Sequence, residues 1–118
     1  MKKLSDTEIS KIKRLDIWGL VAFIDACEAA SEALLGIMNQ PRSTEETGAI
    51  IDELLDDHLD ASQVAAIEIL RASKPKDAGE LNVRNACLAH WEIRCDNHSE
   101  AVKLLAEALS GLKVRQAA

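Results

Sequence analysis

A chain of 118 residues, 47% apolar and 29% charged, has the size of one domain (1–118) and is too apolar for disorder. Its net charge of −6 repels phosphate backbones and anionic lipid, so neither direct nucleic-acid binding nor a membrane-surface role is expected. Aromatics are scarce (Trp18, Phe23, Trp91, no Tyr), which excludes a base-stacking platform and leaves the core to Leu, Ile, Val and Ala.

Ser5-Asp6-Thr7-Glu8 has the spacing of a capping box and opens a short helix with Ile9 and Ile12 on one face. These polar residues also stand where a secretory leader needs an apolar run, so no signal peptide is expected. The apolar stripe loses register near Leu15-Asp16, which predicts a break with Asp16 as a new N-cap.

Residues 17–38 then read as one long helix, apolar around most of its circumference. One stripe is Ile17, Leu20, Val21, Ile24, Cys27, Leu34, Leu35 and Met38; a second is Phe23, Ala26, Ala30, Ala33 and Ile37. Only Asp25, Glu28 and Glu32 draw a polar line. Such a helix must be covered on several sides. The acidic residues at its centre argue against a membrane span.

Pro41 marks a turn, and Ser43-Thr44-Glu45-Glu46 supplies the next cap. A second long helix is predicted over about 44–72, with Ile50, Ile51, Leu54, Leu55, His58, Ser62, Ala65, Ala66 and Ile69 on its buried face. A turn at 73–77 follows, with cap spacing at Asp77 to Glu80. Beyond it, two readings compete. Leu88, Trp91, Cys95, His98, Val102, Leu105, Leu109 and Leu112 keep unbroken heptad spacing, as one long helix would. Asp96-Asn97-His98-Ser99 is instead a cluster of turn formers, and favours a hairpin. With Leu88 and Ala89 on one helix and Ala101, Leu105, Ala108 and Leu109 on the other, residues 85–109 resemble a tetratricopeptide-type helical hairpin. Trp91 stands where that family prefers a small residue. The expected fold is all-α: an antiparallel bundle of two long helices, a C-terminal hairpin or one long third helix, and a short N-terminal helical segment.

Asp52, Glu53, Asp56, Asp57 and Asp60 form an acidic face with no Lys or Arg among them. A solvated outer face is the plain reading. The same carboxylates would also suit a basic partner surface, phosphate mimicry or a divalent cation. Glu45-Glu46 and Glu53-x-x-Asp56 resemble pieces of the metal-binding motifs of MazG-type nucleotide pyrophosphohydrolases. That family's third Glu is replaced by Ala49, and both pieces lie on one helix. Cys87-x-x-His90 and Cys95-x-x-His98 could each chelate an edge of a metal. However, a straight helix separates Cys87 from His98 by about 16 Å, at 1.5 Å per residue. Cys87, Trp91 and Cys95 are therefore expected in the core with His90 at its edge, and His58 is expected at a core boundary.

No catalytic residues, metal or cofactor are expected. Three cysteines, an odd count, read as reduced thiols in a cytoplasmic protein. The leading expectation is an acidic helical protein–protein interaction or adaptor protein that self-associates, as a homodimer, or meets another protein. Interface candidates are Ile17, Trp18, Val21, Phe23, Ile24 and Leu34, with Trp18 the strongest because aromatics dominate contact energies. The alternatives are an acidic decoy inhibitor of a nucleic-acid-binding protein and a metal-dependent all-α nucleotide pyrophosphohydrolase.

Overall fold

The computed structural model describes the backbone of residues 4–40 and 44–117, and side chains through Gly111. Lys2, Lys3, the expected turn at Pro41 to Ser43 and the side chain of Leu112 lie outside the described residues. The described chain is helical from α1 (Asp6–Lys13) through α2 (Ile17–Met38), α3 (Glu45–Leu54), α4 (Ala61–Ala72) and α5 (Ala78–Arg94) to α6 (His98–Ala117). The expected all-α fold is what the structure shows.

Local chemistry sets most of the boundaries. Ser5 and Glu8 form the reciprocal capping box: the Glu8 amide donates to Ser5 Oγ (3.2 Å), and the Ser5 amide donates to Glu8 Oε2 (2.8 Å). Asp16 accepts from the Gly19 amide at 2.7 Å, which starts α2 after the expected break. Thr44 caps α3 through the Thr47 amide, and Asp77 caps α5 through the Glu80 amide. The α5–α6 hairpin closes on a Schellman motif. The Asn97 amide donates to the Glu92 carbonyl and the Asp96 amide to the Ile93 carbonyl, with Asp96 in the left-handed region at φ 61°. The two C-terminal helices are thus a hairpin rather than one rod.

The second long helix carries a feature the periodicity does not predict. Between α3 and α4, Leu55–Asp60 forms a π-helical turn. A π turn accommodates an extra residue and rotates everything that follows. Leu55 is buried, and beyond it the buried residues are Ala61, Gln63, Ala66, Ile67 and Leu70, the last four one residue later than the expected Ser62, Ala65, Ala66 and Ile69. Before the turn, Ile50 and Leu54 face solvent, at 70% and 42% exposure, and so does His58.

Helices α2, α4 and α5 pack on one another; α1 braces α4, and α6 packs principally on α5. Their core is Ile12, Ile17, Leu20, Ile24, Ala66, Ile67, Leu70, Leu88, Ala89, Ala101 and Leu104. The molecule measures 59 × 31 × 19 Å, about two helix diameters thick. Reversal of the chain at Asp96 splits the heptad stripe. Leu88 is in the core, whereas Val102, Leu105 and Leu109 point outward; α6 buries Ala101, Leu104 and Ala108 instead. Cys95, expected in the core, sits exposed at the end of α5. Gly111 lets α6 approach α5, since a Cβ there would lie 2.7 Å from Leu81 Cδ2.

A polar chain, buried at Asn85 and Glu92 and half-buried at Arg71 and Arg84, joins α4, α5 and α6. Arg84 donates to the Leu70 carbonyl (Nε, 3.2 Å), the Arg71 carbonyl (Nη2, 2.7 Å) and Asn85 Oδ1 (Nη1, 2.7 Å). It thereby caps the C-terminus of α4 with a cation. Asn85, fully buried, donates from Nδ2 to the Leu104 carbonyl at 2.8 Å. Glu92, also buried, accepts from Arg71 at 2.9 Å and from Asn97 at 2.9 Å.

Asn85→Ala leaves Arg84 Nη1 without its acceptor and opens a small cavity. Urea unfolding is expected to show a loss of about 2 kcal/mol. Asp96→Gly removes the left-handed penalty at the hairpin turn, and the same measurement is expected to show a gain of about 0.5 kcal/mol after the entropy cost of glycine.

Candidate functional site

Two features of the surface stand out, and both involve α2. The core side of α2 is formed by Ile17, Leu20, Ile24 and Cys27. The opposite side carries Trp18, Ala22, Ala26, Ala29, Ala33, Gly36 and Ile37, all of them exposed. Trp18 is 54% exposed, and one edge of its ring lies near Gly79 at the start of α5. Of the expected second stripe, Ala26, Ala33 and Ile37 are exposed, while Phe23 and Ala30 are half-buried. Ala22 and Ala29, absent from that stripe, complete the outward face.

The six interface candidates separate accordingly. Ile17 and Ile24 lie in the core, and Val21 and Phe23 pack against it. Leu34 is half-buried, and Trp18 alone is broadly presented to solvent. Ile17 and Ile24 therefore belong to the protomer's interior: the core arc of α2 is centred about half a turn from Trp18.

The second feature is a cleft of about 250 Å³ between α2, α4 and α5. Its walls are mostly apolar: Val21 and Ile24 from α2, and Val83, Ala86, Cys87 and Trp91 from α5. Glu28 sits at its rim, 3.2 Å from His90 Nε2 and 3.5 Å from Arg94 Nη1. The Arg94 guanidinium also stacks over Trp91, 5.7 Å from the ring centroid. Gln63 reaches in from α4. It is 3% exposed, and its Nε2 has no hydrogen-bond partner. The sequence offers one signal for Gln63, a polar residue one place off the predicted apolar stripe, but only the π turn places it inward.

Cys27 and Cys87 are quiet thiols. Burial raises the pKa of Cys27. Burial, then the charges of Asp25 and Glu28, push Cys87 up to about 11 from an ordinary 9.0, so both stay protonated at neutral pH and are poor nucleophiles.

The acidic face is gathered by the structure. Asp52, Glu53, Asp56, Asp57 and Asp60 line one depression of about 550 Å³, joined by Arg94 from α5. Glu45 and Glu46 remain on the same helical run, at its first turn. Among the described residues, no three His, Cys, Asp or Glu side chains converge closely enough to hold a metal ion. His90 instead pairs with Glu28, and His58 is exposed beside Ile50, Glu53 and Leu54. No helix among the described residues is long and apolar enough to cross a membrane. Compared with protein-family models, curated proteins and solved structures, the chain matches none.

Thiol reagents at pH 8 are expected to label Cys95 in the folded protein and Cys27 and Cys87 only on unfolding, read by mass spectrometry. The raised Cys87 pKa favours the folded state fully below pH 9 and loses that contribution as pH rises from 9 toward about 11. Cys87→Ala is therefore expected to flatten the alkaline fall of stability across that window, measured by urea midpoints.

Proposed function

We propose that this protein acts by binding rather than catalysis, as a cytoplasmic helical interaction protein that pairs with a second copy of itself through the outward face of α2. The observation that carries the reading is the stripe from Trp18 through Ala22, Ala26, Ala29 and Ala33 to Ile37. It is an apolar helix face that, apart from the edge of Trp18 near Gly79, is exposed among the described residues. Small side chains let two helix axes approach closely, toward the 8 Å end of the usual range of about 8–10 Å. Trp18 supplies the large anchor that such interfaces favour.

The surface area supports the same reading. The accessible surface is 7796 Å², against about 6,300 Å² for a compact monomer of this mass. The excess, about 1,500 Å², is spread over the whole elongated molecule and leaves room for the roughly 800 Å² each partner buries in a standard interface. The radius of gyration, 16.8 Å, likewise exceeds the 13–14 Å or so of a compact chain of this length. Three free cysteines suit a reducing compartment.

Light scattering across a concentration series is expected to show the mass rise from 12.9 kDa to twice that value. Ala29→Arg, at the centre of the stripe, should hold the chain monomeric with unchanged helical circular dichroism. Trp18→Ala should weaken pairing by about 2 kcal/mol. A constant single-chain mass at hundreds of micromolar, with Trp18 equally quenchable at all concentrations, would overturn the proposal.

A further inference from the structure

The cleft between α2, α4 and α5 contains an unsatisfied requirement that pairing through α2 does not meet. Gln63 is nine-tenths buried or more, and its Nε2 has no partner. A buried amide donor left unpaired costs on the order of 1–3 kcal/mol, so the position calls for an acceptor. The groups around it narrow the choice. On the α2 side the cleft presents Asp25 and Glu28; on the α5 side, His90 and Arg94. Glu28 is already engaged with both His90 and Arg94. A neighbouring opening of about 250 Å³ shares Gln63, Trp91 and Arg94 with the cleft and adds Asp60.

An anion entering here meets Asp25, Glu28 and Asp60. A cationic head is drawn to the same carboxylates, but an ammonium or guanidinium carries only donors and leaves Gln63 Nε2 unpaired. A neutral molecule with an acceptor oxygen avoids the carboxylate repulsion and satisfies the amide. Its body finds Val21, Ile24, Val83 and Cys87, and the flat wall of Trp91. The volume lies just under the range of about 300–1,000 Å³ typical of ligand pockets, which limits the occupant to a fragment-sized molecule.

We infer that this cleft binds a small uncharged, largely apolar molecule through one carbonyl-type oxygen that accepts from Gln63 Nε2. The site lies on the side of α2 that faces α5, and its occupation requires no particular oligomeric state.

The test uses acetophenone and ethylbenzene as a matched pair, similar in shape and differing in the carbonyl. Both are titrated into the full ¹⁵N-labelled chain and followed by NMR. Acetophenone is expected to shift the Gln63 side-chain amide resonances together with the backbone amides of Val83 and Cys87. It should bind about five-fold more tightly than ethylbenzene, the ratio given by one neutral hydrogen bond of roughly 1 kcal/mol. In Gln63→Leu that preference should vanish while ethylbenzene still binds. Should the variant not fold, the wild-type ratio decides by itself. Equal affinity of the two compounds for the wild type would overturn the inference, because an ordered water or an empty void would then account for Gln63. No perturbation of the Gln63 amide at millimolar acetophenone would overturn it as well.

Discussion

The fold turns on one adjacent pair, Arg84 and Asn85, at the centre of α5. Arg84 donates to two carbonyls at the end of α4, that of Arg71 and that of Leu70, which it shares with the Ser73 amide, and the guanidinium is itself tied to Asn85. Asn85 in turn holds the Leu104 carbonyl of α6. Apolar packing alone would let smooth Leu and Ala faces slide by a turn at modest cost. A buried polar network does not slide, because every alternative register strands a desolvated donor or acceptor. α5 is therefore the element against which α4 and α6 are both indexed, and the cleft wall formed by Val83, Cys87 and Trp91 follows from that indexing.

A slab only two helices deep cannot surround α2. The core takes Ile17, Leu20, Ile24 and Cys27, and the remaining arc divides between the cleft beside α5 and the outward alanine face. The same low polarity that makes α2 a good core element leaves it an apolar outer surface. The proposed pairing and the proposed ligand cleft are thus separate consequences of one composition, on different sides of one helix.

Much of this was legible in the residues. Ser5, Asp16 and Asp77 cap where their spacing to the following amides predicts, because capping is decided within four residues of chain. The turn at Asp96 was readable for the same reason. What escaped was set by longer-range geometry. The π turn at Leu55–Asp60 has no propensity signature, and its single extra residue moved the buried stripe of α4 onto Gln63, out of phase with the exposed Ile50 and Leu54 before it. The reversal at Asp96 put Val102, Leu105 and Leu109 outside although their spacing to Leu88 is that of a core. The roles of Arg84 and Asn85 depend on carbonyls 13, 14 and 19 residues away, which no local pattern records.

The hairpin turn has a consequence for the uniqueness of the fold. A three-and-four spacing runs from Leu88 through Trp91, Cys95, His98, Val102 and Leu105 to Leu109, apolar except at His98, so periodicity alone does not exclude a straight α5–α6. The bent form places one non-glycine residue, Asp96, at positive φ, and the straight form would not. What selects the bend is what forms only when it closes: the Asn97 side chain on Glu92, Asn85 on the Leu104 carbonyl, and the burial of Ala101, Leu104 and Ala108 against the bundle. Here the spacing of apolar residues along the chain does not choose the topology; the polar contacts and the small residues of α6 that meet α5 do.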